Sequence, residues 1–384
     1  MKNNLIYSLV ILTLTLTHIS TAHAKLEDFP KLNLLNPIER AYQTRNDIIK
    51  TFIDKNDTKE LFKVWHHLYE KDYDFNTEDG LRKYGIFKKT LKEIKEHNMT
   101  NEHYVMGLNQ YSDMTYEEFE KVYLQKRMQP EEAKRFLKAF YTLDDFNDDD
   151  ESSINPVNKY EEKDKNLTGR GSIDWKSKMF WVRNQGSCGS CWSFSTMGAI
   201  EGMYLAKYGK NPSGYLSVQQ LVDCDATNNG CNGGWMAKAM NYLQTSPPMY
   251  DDNYGYSGKQ EFCKFNASKT SGIKVTGYDS STTADSTYAL LQKGAVSTCV
   301  DANSAFKNYF YGYFDSSCSS TINHAVVLVG YGTRSSWWGG KGYWIVRNSW
   351  GVTWGWVGHI YIYENAGNNG SCNVERFGIQ PRIN

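Results

Sequence analysis

Residues 185–195 read Gln185-Gly186-Ser187-Cys188-Gly189-Ser190-Cys191-Trp192-Ser193-Phe194-Ser195. A loop of small residues carrying two cysteines runs into Met197, Ala199, Ile200, Met203, Tyr204 and Leu205, spaced as on a partly buried helix. Cys191 then stands at the helix start, where unpaired backbone N–H groups and the macrodipole favour negative charge and lower a thiol's pKa. The spacing therefore predicts a reactive thiolate. Upstream glycines let backbone come close to a substrate carbonyl, and Gln185 can aim its amide at a developing oxyanion. A C-x-x-C pair also suits a redox dithiol or half of a zinc site. No thioredoxin-like βαβ pattern surrounds this one, and no further ligands follow at zinc spacing. Nucleophile ranks first, redox pair second and metal third.

The segment resembles the active-site cysteine region of the papain family of cysteine proteases, in which the glutamine and the second cysteine are catalytic. A cysteine nucleophile works best beside an imidazole that takes its proton and later returns it to the leaving amine. Six histidines, at 18, 23, 66, 67, 97 and 103, precede Cys191, so His324 and His359 remain after it. His324 opens Asn323-His324-Ala325-Val326-Val327-Leu328-Val329-Gly330-Tyr331-Gly332, which resembles the family's catalytic histidine motif. His359 falls where family members often carry an aromatic residue, and it reads as structural. Asn348-Ser349-Trp350-Gly351-Val352-Thr353-Trp354-Gly355 resembles the N-S-W-G-x-x-W-G segment. That resemblance implies that Asn348 orients the imidazole and that Trp350 shields their hydrogen bond from water.

Upstream, Asp57 and Glu60 have capping-box spacing ahead of a stripe of Leu61, Trp65, Leu68 and Tyr69, which predicts a helix. A second helix is expected from about Asp79 to Asn98, with Tyr84, Phe87, Leu91 and Ile94 on one face. Its residues Asp79, Lys83, Phe87, Thr90, Ile94 and Asn98 resemble the interspersed E-R-F-N-I-N signature of cathepsin L-like propeptides. Gly107-Leu108-Asn109-Gln110-Tyr111-Ser112-Asp113 resembles the G-x-N-x-F-x-D motif that follows it, with Tyr111 for Phe. The two together imply an inhibitory prodomain.

Met1-Lys2-Asn3-Asn4, the apolar run Leu5–Leu16 and Ala22-His23-Ala24 read as a signal peptide over 1–24, too short to span a membrane. A propeptide is expected over 25–168, with an inhibitory helical part at about 58–123 and an acidic linker at about 124–168 that includes the run from Asp144 to Glu151. A peptidase domain over 169–384 would follow. All eight cysteines lie between 188 and 372, which in a secreted chain suggests disulfides confined to one domain. Five sequons, at Asn56, Asn98, Asn166, Asn266 and Asn369, fit a secretory route. Zero formal net charge argues against a nucleic-acid partner. Residues 25–168 hold 30 acidic and 24 basic side chains, and residues 169–384 hold 13 and 18. Halves of opposite sign would attract near neutrality and loosen as carboxylates protonate.

Helical patterns fill the first part of the peptidase region: Ser217 and Gln220 are spaced as a capping box, and a helix is expected from about Trp235 to Leu243. Runs at Ala295–Val300, Ala325–Val329, Tyr343–Arg347 and His359–Tyr363 read as strands. The expectation is an α+β chain, the two-lobed papain-like fold with a helical lobe and a β-rich lobe, preceded by a helical prodomain. The resemblance also implies the pairs Cys188–Cys231, Cys224–Cys263 and Cys318–Cys372, leaving Cys191 and Cys299 free. It implies a substrate groove at Gly233, Gly234 and Trp350, and an S2 pocket of Trp235, Met236, Cys299, Ile322, Ala325 and Phe377. For Cys299 packing ranks ahead of pocket lining. The expected protein is a monomeric cysteine endopeptidase with an apolar P2 preference, needing no cofactor or metal. Its partners would be protein and peptide substrates and its own propeptide, and its place a lysosome, acidic vacuole or the extracellular space. Two other readings compete, a non-catalytic homologue that binds or stores and a redox protein using Cys188 and Cys191.

Overall fold

The structure is a computed structural model, and it describes residues 57–133, 171–334, 340–364 and 371–384. The expected signal segment over 1–24, the acidic run 144–151 and the sequons at 56, 166 and 369 lie outside the described residues. No helix among the described residues is long and apolar enough to cross a membrane.

Two compact units divide the chain after Tyr73. In the first, Asp57 accepts the Glu60 N–H at 3.0 Å and starts helix α1 (Thr58–Leu68), whose Leu61, Phe62 and Trp65 are buried. The second unit begins with Asp74 and holds everything that follows. Thr77 caps the long helix α2 (Glu78–Thr100), which buries Phe87, Thr90, Leu91 and Ile94 on one stripe. Strand β1 (Tyr104–Met106) and helix α3 (Tyr116–Tyr123) follow, α3 held by a capping box between Thr115 and Glu118. After β2 (Ile173–Asp174) come helices α4 (Cys191–Tyr208), α5 (Val218–Cys224) and α6 (Met236–Thr245). Ser217 does cap α5, but the Gln220 side chain reaches instead to the Met249 N–H at 2.7 Å and to the Ser246 carbonyl. A long-range backbone partner has displaced the reciprocal half of the capping box.

The remainder is mainly sheet: β3 (Val275–Ser281), α7 (Ala284–Lys293), β4 (Val296–Val300), α8 (Ser304–Lys307), β5 (Tyr309–Phe314), β6 (His324–Arg334), β7 (Lys341–Arg347), β8 (His359–Tyr363) and β9 (Gly378–Ile383). The strand order is β1-β5-β8-β7-β6-β4-β9-β3, with β2 on β6. The pairing is antiparallel except for β5 with β8. Strand β6 explains its own unbroken apolar run, because both faces are covered. Ala325, Val327 and Val329 join the core shared with α4, α5 and α6, while Val326 and Leu328 face a second core on the opposite side. That second core takes in Tyr104, Tyr111, Phe119 and Leu124 from the N-terminal part of the chain.

Disulfides join Cys188 to Cys231, Cys224 to Cys263 and Cys318 to Cys372, with Cα separations of 4.7, 4.7 and 5.0 Å. Cys191 and Cys299 are free and buried.

Candidate active site

Helix α4 begins at Cys191, and the Ser195 hydroxyl one turn on donates to the Val326 carbonyl at 2.5 Å, which fixes the first turn against β6. His324 is the first residue of β6. Antiparallel pairing sets Val327 opposite Arg347, so the start of β6 lies beside the end of β7, and Asn348 directly follows β7. Side chains 24 positions apart in sequence thereby meet: His324 Nε2 and Asn348 Oδ1 are 2.7 Å apart. His324 Nδ1 is buried with no hydrogen-bond partner among the described residues. The imidazole has one nitrogen fixed and one uncommitted. Trp350 is fully buried and stacks on the ring.

The Cys191 sulfur lies within hydrogen-bond reach of the Ala325 backbone, next in sequence to His324. Its acidity departs from the helix-start expectation. Burial pushes the Cys191 thiol up to about 11, although backbone hydrogen bonding from Ala325, Trp192 and Cys191 itself acts in the other direction. Burial likewise pushes the His324 imidazole down to about 4, against the raising effect of Asn348. The helix terminus favours the thiolate, but complete removal from water costs more than the terminus returns. The pair is therefore held neutral in this closed form.

What closes the site is the N-terminal segment. Gln185 Nε2 donates to the Tyr123 carbonyl at 2.9 Å and to the Cys188 carbonyl at 2.9 Å, while its Oε1 accepts from the Ser349 hydroxyl at 2.7 Å. The Gln125 N–H donates to the Asn323 carbonyl at 3.0 Å, and Met128 exchanges two backbone hydrogen bonds with Ile322, at 2.8 and 3.0 Å. Gln125 Oε1 accepts from the Gly234 N–H at 3.3 Å. At Gly233, φ is +105°, and a Cβ there would stand 2.8 Å from Gln125 Cβ, so chain can lie this close only over glycine. Residues 124–133 were expected to begin a solvated linker. Their first half instead pairs with Asn323, Ile322 and Gly234, and Leu124, Gln125 and Ala133 are buried. The acidic composition that suggested a linker begins only beyond them.

Trp235, Met236, Cys299, Ile322, Ala325 and Phe377 all fall in one core, with Met128 packed against it. Cys299 Sγ is 3.8 Å from Met236 Sδ, and burial raises its thiol well above the ordinary range. His359 is buried, with Nδ1 2.9 Å from the Val357 carbonyl. With Cys188 and Cys231 joined, Cys191 has no dithiol partner in the loop, and two of the thiols a zinc site would need are consumed.

Several participants carried no sequence signal. Tyr123 acts through its carbonyl, and so does Asn323. Tyr256 donates its hydroxyl to the Gln185 carbonyl at 2.6 Å and lies 2.7 Å from Ser190 Oγ, bracing the loop from 65 residues downstream of Cys191. Contacts of both signs link the two segments: Arg127 pairs with Asp301, with the cation on the N-terminal side, and Lys307 feels Asp113, Glu93, Glu118 and Glu117, with the cation on the other side.

Residues 170–381 match the family model for papain family cysteine proteases, and residues 62–119 match the cathepsin propeptide inhibitor domain. A cathepsin L-like proteinase of Fasciola hepatica is 34% identical over 338 residues, covering 84% of this chain and 93% of its own. Cysteine protease XCP2 of Arabidopsis thaliana is 34% identical over 330 residues, covering 84% and 85%. Among solved structures, digestive procathepsin L 3 of the Tenebrio molitor larval midgut superposes with a TM-score of 0.66 at 30% identity, over 85% of this chain and 99% of that one.

Proposed function

Because this chain belongs to the papain family of cysteine proteases and carries that family's propeptide inhibitor domain, we propose that it is an endopeptidase acting through Cys191, His324 and Asn348, with Gln185 in the oxyanion site. The observation that carries this reading is the divided imidazole: Nε2 of His324 is held by Asn348 and Nδ1 is buried without a partner among the described residues, while the backbone of the next residue, Ala325, hydrogen-bonds to the Cys191 thiol. Release of the propeptide lets water in, lowers the desolvation cost of charge, and allows the thiol proton to pass to Nδ1. The thiolate attacks the scissile carbonyl. The Cys191 N–H and the Gln185 amide, freed from the Tyr123 carbonyl, take the oxyanion. The imidazolium gives its proton to the departing amine, and water, deprotonated by the same imidazole, cleaves the thioester. The apolar cluster of Trp235, Met236, Cys299, Ile322, Ala325 and Phe377 would receive an apolar P2 side chain.

The propeptide would run from about residue 25 to residue 168, with its groove-filling part extending past 123 to at least Met128, and the enzyme from about 169 to 384. Three disulfides suit an oxidising secretory route, and acid release would place activity in a lysosome, a vacuole or an acidic extracellular space. No observation favours the non-catalytic reading, and the relatives named above are proteinases or proteases.

The test is direct. The secreted full chain is moved from pH 7 to about pH 4.5, within the carboxylate range, with Cys191→Ser alongside, and cleavage of a peptide with apolar P2 is followed. Wild-type activity with loss of the propeptide, and neither in the variant, is the expected result. A mature wild-type domain that cleaves nothing and resists alkylation at Cys191 would overturn the reading.

A further inference from the structure

Arg127 reaches out of the groove-filling segment into a recess that belongs to the other side. Its guanidinium donates to Asp301 Oδ1 at 2.9 Å, to Thr321 Oγ1 at 3.0 Å and to Ser319 Oγ at 3.4 Å. From its own segment it meets Glu120 Oε1 at 2.7 Å and the Tyr116 hydroxyl at 2.7 Å. The Asp301 side chain is only 3% exposed, and its second oxygen is already held by the Ser319 N–H at 2.6 Å. Removing residues before 169 takes away Arg127, Glu120 and Tyr116 together. A carboxylate oxygen is then left in a recess beside two hydroxyls with no cation, which is costly to leave unpaired.

The recess adjoins the reacting groups. Asp301 follows Val300, which pairs with His324 across β4 and β6. The backbone that delivers Arg127 lies along the groove wall, hydrogen-bonded at Asn323 on one side of it and at Ile322 on the other. A substrate chain bound on that wall can deliver a side chain to the same place.

Resting on the protease reading above, we propose that Asp301, with Ser319 and Thr321, is a specificity subsite for an arginine or lysine side chain of the substrate, outside the P2 position, and that Arg127 occupies it in the zymogen. A carboxylate oxygen flanked by hydroxyls suits the fork of donors on a guanidinium better than a point ammonium, so arginine is favoured over lysine.

The experiment uses enzyme activated in acid from the full chain, and internally quenched peptides that share an apolar P2. Arginine, lysine, glutamine or glutamate is walked through the other positions within three residues of the scissile bond. At one position arginine should raise kcat/KM over glutamine by about tenfold, and glutamate should lower it. In Asp301→Asn the ratio of kcat/KM for the arginine peptide to that for the glutamine peptide should collapse toward one. Thr321→Val should reduce it in part, and serves if the first variant does not fold. Equal rates for arginine and glutamine at every position, with both peptides cut, would reject the subsite and leave the protease reading standing. An arginine preference that survives in both variants would also reject it. Failure to cut any peptide would remove the protease reading and the subsite with it.

Discussion

The indole of Trp350 lies over the imidazole of His324 with ring centroids 4.6 Å apart and planes 28° from parallel. Two rings from the propeptide meet the same indole edge-on, Phe119 at 5.1 Å and Tyr111 at 5.7 Å. One side chain thus shields the His324–Asn348 pair and anchors the inhibitor. Trp350→Ala should cost about 3–5 kcal/mol in denaturant unfolding of the full chain, and should lower kcat more than KM in whatever enzyme can be recovered. Phe119→Ala leaves the His324 side of the indole covered. It should spare the activity of the mature enzyme and speed the loss of the propeptide at a given pH.

The raised pKa of Cys191 predicts a sluggish thiol in the zymogen. With a pKa of about 11, its thiolate fraction at pH 7 is at least ~100-fold below that of an ordinary cysteine. Iodoacetamide labelling of Cys191, followed by mass spectrometry of its peptide, should be correspondingly slow and should climb steeply with pH beyond pH 9. Fast labelling of intact zymogen at neutral pH would contradict the neutral pair.

His324 makes the closed form acid-sensitive. Its folded pKa lies near 4 and its ordinary value is 6.5. Above pH 6.5 neither state gains a proton. Between pH 6.5 and about 4 the unfolded chain binds a proton that the folded one refuses, so stability falls with pH, by up to ~3 kcal/mol. Comparing Cys191→Ser with Cys191→Ser/His324→Gln by chemical unfolding from pH 7 to 4 should show a flatter pH dependence in the double variant. Identical slopes would remove His324 from the acid response.

Arg127 ties Glu120 to Asp301 with two charged contacts. Arg127→Ala leaves two carboxylates facing each other around an empty centre, and should raise the rate of propeptide loss at pH 5 by about tenfold or more. Time-resolved gel analysis of the processing reaction reads this directly, and an unchanged rate would show that the contact contributes nothing to latency.

Much of this site can be read from the chain because its chemistry is local. The Gly/Ser loop entering a helix marks Cys191, the apolar run after His324 marks a strand covered on both faces, and the aromatic N-S-W-G segment marks Asn348. The disulfides came with the family resemblance, since spacing alone leaves their pairing open. Strands β3, β5 and β9 were missed for physical reasons. Val275–Ser281 is mostly polar and contains Gly277, Tyr309–Phe314 is aromatic without alternation, and Gly378–Ile383 contains Pro381. Each is a strand because its neighbours make it one. The groove contacts of Tyr123, Gln125 and Met128 are largely backbone contacts, for which no residue type is required. The thiol's raised pKa was equally hidden, since burial, which only the folded chain creates, outweighs a helix terminus.

Strand β1 lies at the end of the sheet, paired with β5, and it belongs to the propeptide. Latency is therefore bought partly with sheet structure: the precursor's edge is a strand that the enzyme does not keep. Once it departs, Tyr309–Phe314 presents unpaired backbone donors and acceptors along a row of aromatic side chains. Activation exchanges an edge strand of 3 residues for one of 6, and the mature enzyme should be the stickier of the two forms, open to strand addition from a second chain wherever its concentration is high.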